Sequence, residues 1–74
     1  MHVGGLRATR EERLVEALAR DTEPLVAAWA QANRGRVRDS EALLRALEDL
    51  RAQASPEARS LAATIWLAWR ELAS

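Results

Sequence analysis

The sequence predicts an all-α fold, and its composition supplies the main observations. Its 74 residues include 16 alanines and 11 leucines, both of which favour helices. Valine and isoleucine together number five, and phenylalanine and tyrosine are absent, so the residues that pack strands are scarce. Cysteine is also absent, which excludes a disulfide scaffold and a zinc–thiolate site. This length allows one domain with a small core. We expect a tail over residues 1–8 and a single helical domain over residues 9–74.

The first predicted helix covers residues 9–33. It begins at a capping box formed by Thr9 and Glu12, and its apolar residues recur on one side. Pro24 interrupts this pattern because proline lacks a backbone donor and crowds the carbonyl of Arg20. The apolar phase is the same before and after Pro24. We therefore favour one long helix bent at Pro24 over two helices joined without a real loop.

Two further helices are predicted over residues 40–54 and 56–73, which gives a small three-helix domain with up-down-up connectivity. Gly35 ends the first helix, since glycine tolerates the left-handed backbone of a C-cap. Asp39 and Ser40 then cap the second helix. Its predicted buried stripe is formed by Leu43, Leu44, Leu47, Leu50 and Ala54. The third helix begins at Ser55 and Pro56, a capping residue followed by a proline in the first position.

Residues suited to catalysis or metal binding are few. His2 is the only histidine and lies in the predicted flexible tail. Adjacent carboxylates, such as Glu11 beside Glu12 and Glu48 beside Asp49, point about 100° apart on a helix and so form solvated faces. We therefore expect no enzymatic activity, no catalytic residues, no cofactor, no bound metal and no small-molecule substrate.

Charge and hydropathy restrict the partners and the compartment. Eleven arginines balance eleven acidic residues, so the formal net charge is zero, unlike that of a general binder of nucleic acids or membranes. The longest uncharged run near the C-terminus covers residues 60–69, about half the length that a bilayer requires. The first ten residues contain no apolar stretch typical of a signal peptide. The sequence predicts a soluble, cytoplasmic protein without a membrane partner.

The predicted third helix carries the main functional signal. Residues 65–69 are apolar nearly all round, with Leu67 opposite the core face and Trp66 on its flank. A helix of this kind tends to be buried on more than one side. The alternative is that Trp66 covers the edge of the core and that Leu67 is a single exposed leucine. We favour an interaction surface formed by Trp66, Leu67 and Trp69, with a contribution from Trp29. It would mediate homodimerisation or docking of a helical partner, and association into a larger bundle.

A second functional prediction concerns the segment Arg34-Gly35-Arg36-Val37-Arg38. Its three arginines precede a helix N-terminus, where phosphates bind well. They predict contact with an anion or a nucleic acid, and the alternative is a solvated loop. We regard a nucleic-acid-binding regulator as the second candidate function, after protein–protein interaction.

Overall fold

The computed structural model describes residues 7–73, and this part of the chain folds into four α-helices. They are α1 (Arg10–Leu18), α2 (Pro24–Ala32), α3 (Ser40–Ala52) and α4 (Pro56–Ala73). The prediction of an all-α fold is confirmed. Most of the predicted N-terminal tail, including His2, lies outside the described residues.

In place of the single bent helix predicted over residues 9–33, the structure has two helices, since α1 ends at Leu18 and α2 begins at Pro24. The predicted three-helix domain therefore has four helices over the described residues. The residue before a proline is disfavoured in the helical conformation, and Glu23 is extended, with φ −78° and ψ 118°. The Asp21 carboxylate accepts a 2.8 Å hydrogen bond from the Glu23 backbone N–H, which stabilises the turn. Pro24 then occupies the start of α2, where its missing N–H removes no helical bond.

The predicted N-caps are present. The Thr9 hydroxyl accepts from the Glu12 backbone N–H at 3.0 Å, and the Glu12 carboxylate accepts from the Thr9 N–H at 2.8 Å. Asp39 caps α3 by accepting from the Ala42 N–H at 2.8 Å. These contacts satisfy donors that a helix cannot satisfy internally. They fix the starts of α1 and α3.

The core lies where α4 packs against α1, α2 and α3. Its buried hydrophobic residues are Leu14, Val15, Leu18, Ala19, Val26, Ala30, Val37, Leu43, Leu47, Leu50, Ala58, Ala62 and Ile65. Two members of the predicted buried stripe of α3 are instead exposed: Leu44, at 44%, and Ala54, which lies beyond the end of α3 at Ala52. Leu25, on the apolar side of the predicted first helix, is also exposed, at 57%. The break at Pro24 leaves Leu25 in the first turn of a separate helix, and Leu44 lies at the edge of the α3 stripe.

None of the helices between residues 7 and 73 combines the length and the apolar character needed to cross a bilayer.

Candidate interaction surface

Trp66 and Trp69 form an aromatic pair on α4. Their ring centroids are 5.5 Å apart and their planes meet at 71°, an edge-to-face arrangement. Such pairs contribute about 0.5–1.5 kcal/mol beyond the burial of their area. Both rings are half-buried and pack against the core. The structure thus brings together two of the four residues predicted to form the interaction surface.

The indole of Trp69 is held by the carboxylate of Glu11 on α1. Trp69 Nε1 donates to Glu11 Oε2 at 2.9 Å, and Ser40 Oγ donates to the same oxygen at 3.1 Å. Arg10 Nη2 lies 3.4 Å from that oxygen and forms an ion pair with it. The Arg10 guanidinium also lies over the Trp69 ring, 5.6 Å from its centroid. Glu11 therefore links α1, α4 and the N-terminus of α3.

The prediction that Glu11 lies on a solvated face is wrong, because this residue is only 5% exposed. Burial by itself raises the pKa of Glu11. The hydrogen bonds from Trp69, the backbone and Ser40, together with the charge of Arg10, outweigh burial and lower the pKa overall. Glu11 is therefore a charged, hydrogen-bonded group inside the fold.

Leu67 lies on the side of α4 that faces away from the core. Its side chain is 57% exposed, whereas Ala58, Ala62 and Ile65 on the opposite side of α4 are buried. Leu72, in the last turns of α4, is 47% exposed. A single exposed leucine is common in soluble proteins. Here, however, exposed leucine side chains lie on the same helix as two half-buried tryptophans.

Trp29 is placed apart from this pair. It lies on α2, half-buried against the core. Within residues 7–73 the one aromatic ring contact is that between Trp66 and Trp69, so no ring contact joins Trp29 to them. Asn33 Nδ2 donates to the Trp29 carbonyl at 2.8 Å and closes the end of α2.

The three arginines at 34, 36 and 38 do not converge on one point. Arg34 forms an ion pair with Glu16 at 3.3 Å, and Arg38 Nε donates to the Gly35 carbonyl at 3.1 Å. The side chain of Arg36 makes no hydrogen bond or ion pair within the described chain. Gly35 has φ 77°, as expected for the left-handed turn predicted there.

Comparison of the chain with models of known protein families, with curated proteins and with solved structures gave no match.

Proposed function

We propose that this protein is a non-enzymatic, cytoplasmic helical interaction module that associates with itself, as a homodimer, or with a helical partner through α4. The observation that carries the proposal is the exposure of Leu67 on the outer side of α4. Aromatic residues are enriched at the centres of protein interfaces, and Trp66 and Trp69 lie on the same helix. Trp29 is also included in the proposed surface. It lies on α2 and makes no ring contact with Trp66 or Trp69 within the described residues.

The fixed position of Trp69 supports this proposal. Binding costs less when the contact residues are ordered before the partner arrives. Trp69 is held by Glu11 and Arg10, and Trp66 packs edge-to-face on Trp69. The aromatic part of the surface is therefore preorganised. A small core is a second support, since association is a common source of stability for domains of this size.

Leu67→Glu is expected to weaken self-association while leaving helicity unchanged. Burying a leucine side chain contributes about 1.5–3 kcal/mol, so its replacement by a charge should raise the dissociation constant at least about tenfold. The measurement is molar mass by light scattering after size exclusion, over a wide range of protein concentration, with circular dichroism as the check on folding.

Leu25→Glu is the matched control, because Leu25 is as exposed as Leu67 but lies on α2. Self-association should persist in this variant. If the wild-type chain is monomeric at high concentration, the homodimer is excluded, and the docking of another helical protein is tested by capture from cell extract. Capture in the Leu25→Glu background that is unchanged by adding Leu67→Glu would contradict the α4 surface, because this background removes Leu25 as a second docking residue.

Nucleic-acid binding is the second candidate function, and one feature favours it. A groove of about 530 Å³ beside the 34–38 loop is lined by Arg7, Arg13 and Arg34, with Glu12 and Glu16 on its walls. If it binds phosphates, affinity for a short duplex should fall steeply with salt. Replacing Arg34, Arg36 and Arg38 with glutamine should then abolish binding. Binding that is absent or insensitive to salt would exclude this function.

A further inference from the structure

A second surface, with leucines at its centre and polar residues around them, lies between the N-terminal turn of α2 and the N-terminal half of α4. It consists of two neighbouring depressions of about 150 and 230 Å³ that share Leu25, Glu57 and Leu61. The smaller depression extends to Leu50 at the end of α3, and the larger extends to Val26 on α2. We name these two depressions the Leu25 groove.

Leu25 stands exposed in this groove although it is a large apolar side chain. Its 57% exposure equals that of Leu67, but here apolar neighbours line the adjoining surface. The structural cause is the break before Pro24, which begins α2 at this point and places Leu25 in its first turn. Leu25 thus lines both depressions, so a partner side chain in either one would contact it.

The charges around the Leu25 groove are acidic. Glu23 lines the larger depression and Glu57 lines both, whereas none of the residues lining either depression is basic. Ser55 Oγ donates to Glu57 Oε1 at 3.0 Å and so holds that carboxylate at the start of α4. Within residues 7–73 neither Glu23 nor Glu57 forms an ion pair. Two carboxylates without an ion pair therefore border Leu25 and Leu61.

We propose that the Leu25 groove docks a basic amphipathic helix of another protein. Two leucine-sized side chains one turn apart on that helix would enter the two depressions, and both would pack against Leu25. Lysine or arginine residues beside them would face Glu23 and Glu57. This is the helix-in-groove mode of recognition, in which apolar anchors supply affinity and flanking charges supply orientation and association rate.

A second copy of this chain fits the groove less well through its own basic segment. The 34–38 loop carries three arginines, but its one large apolar residue, Val37, is buried and 3% exposed. A partner needs basic and apolar groups exposed on the same face. The 34–38 loop of a second copy therefore does not fill the groove, whose two depressions and two carboxylates match a basic amphipathic helix. The groove is a site separate from the α4 surface around Leu67.

The test uses a defined probe, a fluorescently labelled helical peptide of 14 residues built from leucine, lysine and alanine, with leucines at i, i+4. Its affinity for the full chain is measured by fluorescence anisotropy at several salt concentrations. We expect binding that weakens with salt and that falls at least about tenfold in Leu25→Ala, since several buried methyl and methylene groups are lost. Glu23→Gln combined with Glu57→Gln should weaken binding and reduce its salt dependence.

Matched controls separate the groove from general surface effects. Leu44→Ala removes an equally large exposed leucine on α3, and Glu48→Gln with Asp49→Asn removes two exposed carboxylates there. Both variants should bind the lysine peptide as the wild-type chain does. No binding of the lysine peptide, equal binding of a peptide with glutamate in place of lysine, or unchanged affinity in Leu25→Ala would overturn the proposal. Because Leu67 lies elsewhere, Leu67→Glu should leave peptide binding intact, so the two surfaces are tested independently.

Discussion

Replacing Glu11 with alanine is expected to lower the free energy of unfolding by about 2–4 kcal/mol. The carboxylate is 5% exposed and accepts hydrogen bonds from the side chains of Trp69, Ser40 and Arg10 through one oxygen. Its removal leaves the Trp69 and Ser40 donors without their partner in a half-buried region. A domain of this length has a total stability of about 4–11 kcal/mol, so the loss would be a large fraction of it.

Chemical denaturation of Glu11→Ala, Glu11→Gln and Glu16→Ala would measure this effect. Glutamine can still accept from Trp69 but has no charge, so Glu11→Gln should fall between alanine and wild type. Glu16 is the matched control on the same helix, since its ion pair with Arg34 is exposed and should contribute less than about 1 kcal/mol. Equal effects of Glu11→Ala and Glu16→Ala would show that the Glu11 network does not stabilise the fold.

The same carboxylate makes stability depend on pH in a definite direction. The pKa of Glu11 is lower in the folded chain than its ordinary value, because hydrogen bonds and Arg10 outweigh the effect of burial. A group with a lowered folded pKa stabilises the fold above its unfolded pKa, and this contribution is lost as the pH falls through the folded pKa. Stability should therefore decline below about pH 4.3, the ordinary pKa of glutamate. In Glu11→Gln this part of the decline should be absent.

The position of Glu11 was open to prediction from the sequence. At about 100° per residue, Glu11 falls about 60° from Leu14, between Leu18 and Val15 on the apolar face of α1. A carboxylate on such a face requires a donor, and Trp69 lies 58 residues away in sequence. The apolar pattern of α1 indicates that Glu11 needs a hydrogen-bond donor, but only the packing of α1 on α4 identifies Trp69 as that donor.

The break between α1 and α2 could not be predicted from the periodicity of the sequence. Pro24 interrupts the helical pattern in the sequence, yet the continuous apolar phase favours a bend over a break. In the structure the helix breaks, because Glu23, the residue before the proline, is extended and the Asp21 carboxylate stabilises the turn. The break changes the environment of Leu25, which a continuous helix would bury. The Leu25 groove was thus beyond prediction from periodicity, because it depends on where α2 begins.

The adjacent residues Leu43 and Leu44 provide the second large effect and a test of helix register. Leu43 is fully buried, whereas Leu44 is 44% exposed. Leu43→Ala removes buried methyl and methylene groups and leaves a cavity, which typically costs about 2–5 kcal/mol. Leu44→Ala makes the same chemical change at an exposed position and should cost less than about 1 kcal/mol. Both variants keep a strong helix former, so helix propensity does not separate them.

Urea denaturation of the two variants measures this difference directly. A fall in the midpoint at unchanged slope would show that Leu43→Ala lowers stability without changing the surface exposed on unfolding. Comparable losses in both variants would mean that α3 packs in a different register, or that Leu44 is covered in solution by another chain. Concentration separates these two explanations, because a loss caused by a lost intermolecular contact grows with protein concentration, whereas a change of register is independent of it. The variants Leu43→Ala and Leu44→Ala therefore test the packing of the core and also whether Leu44 is exposed to water in solution.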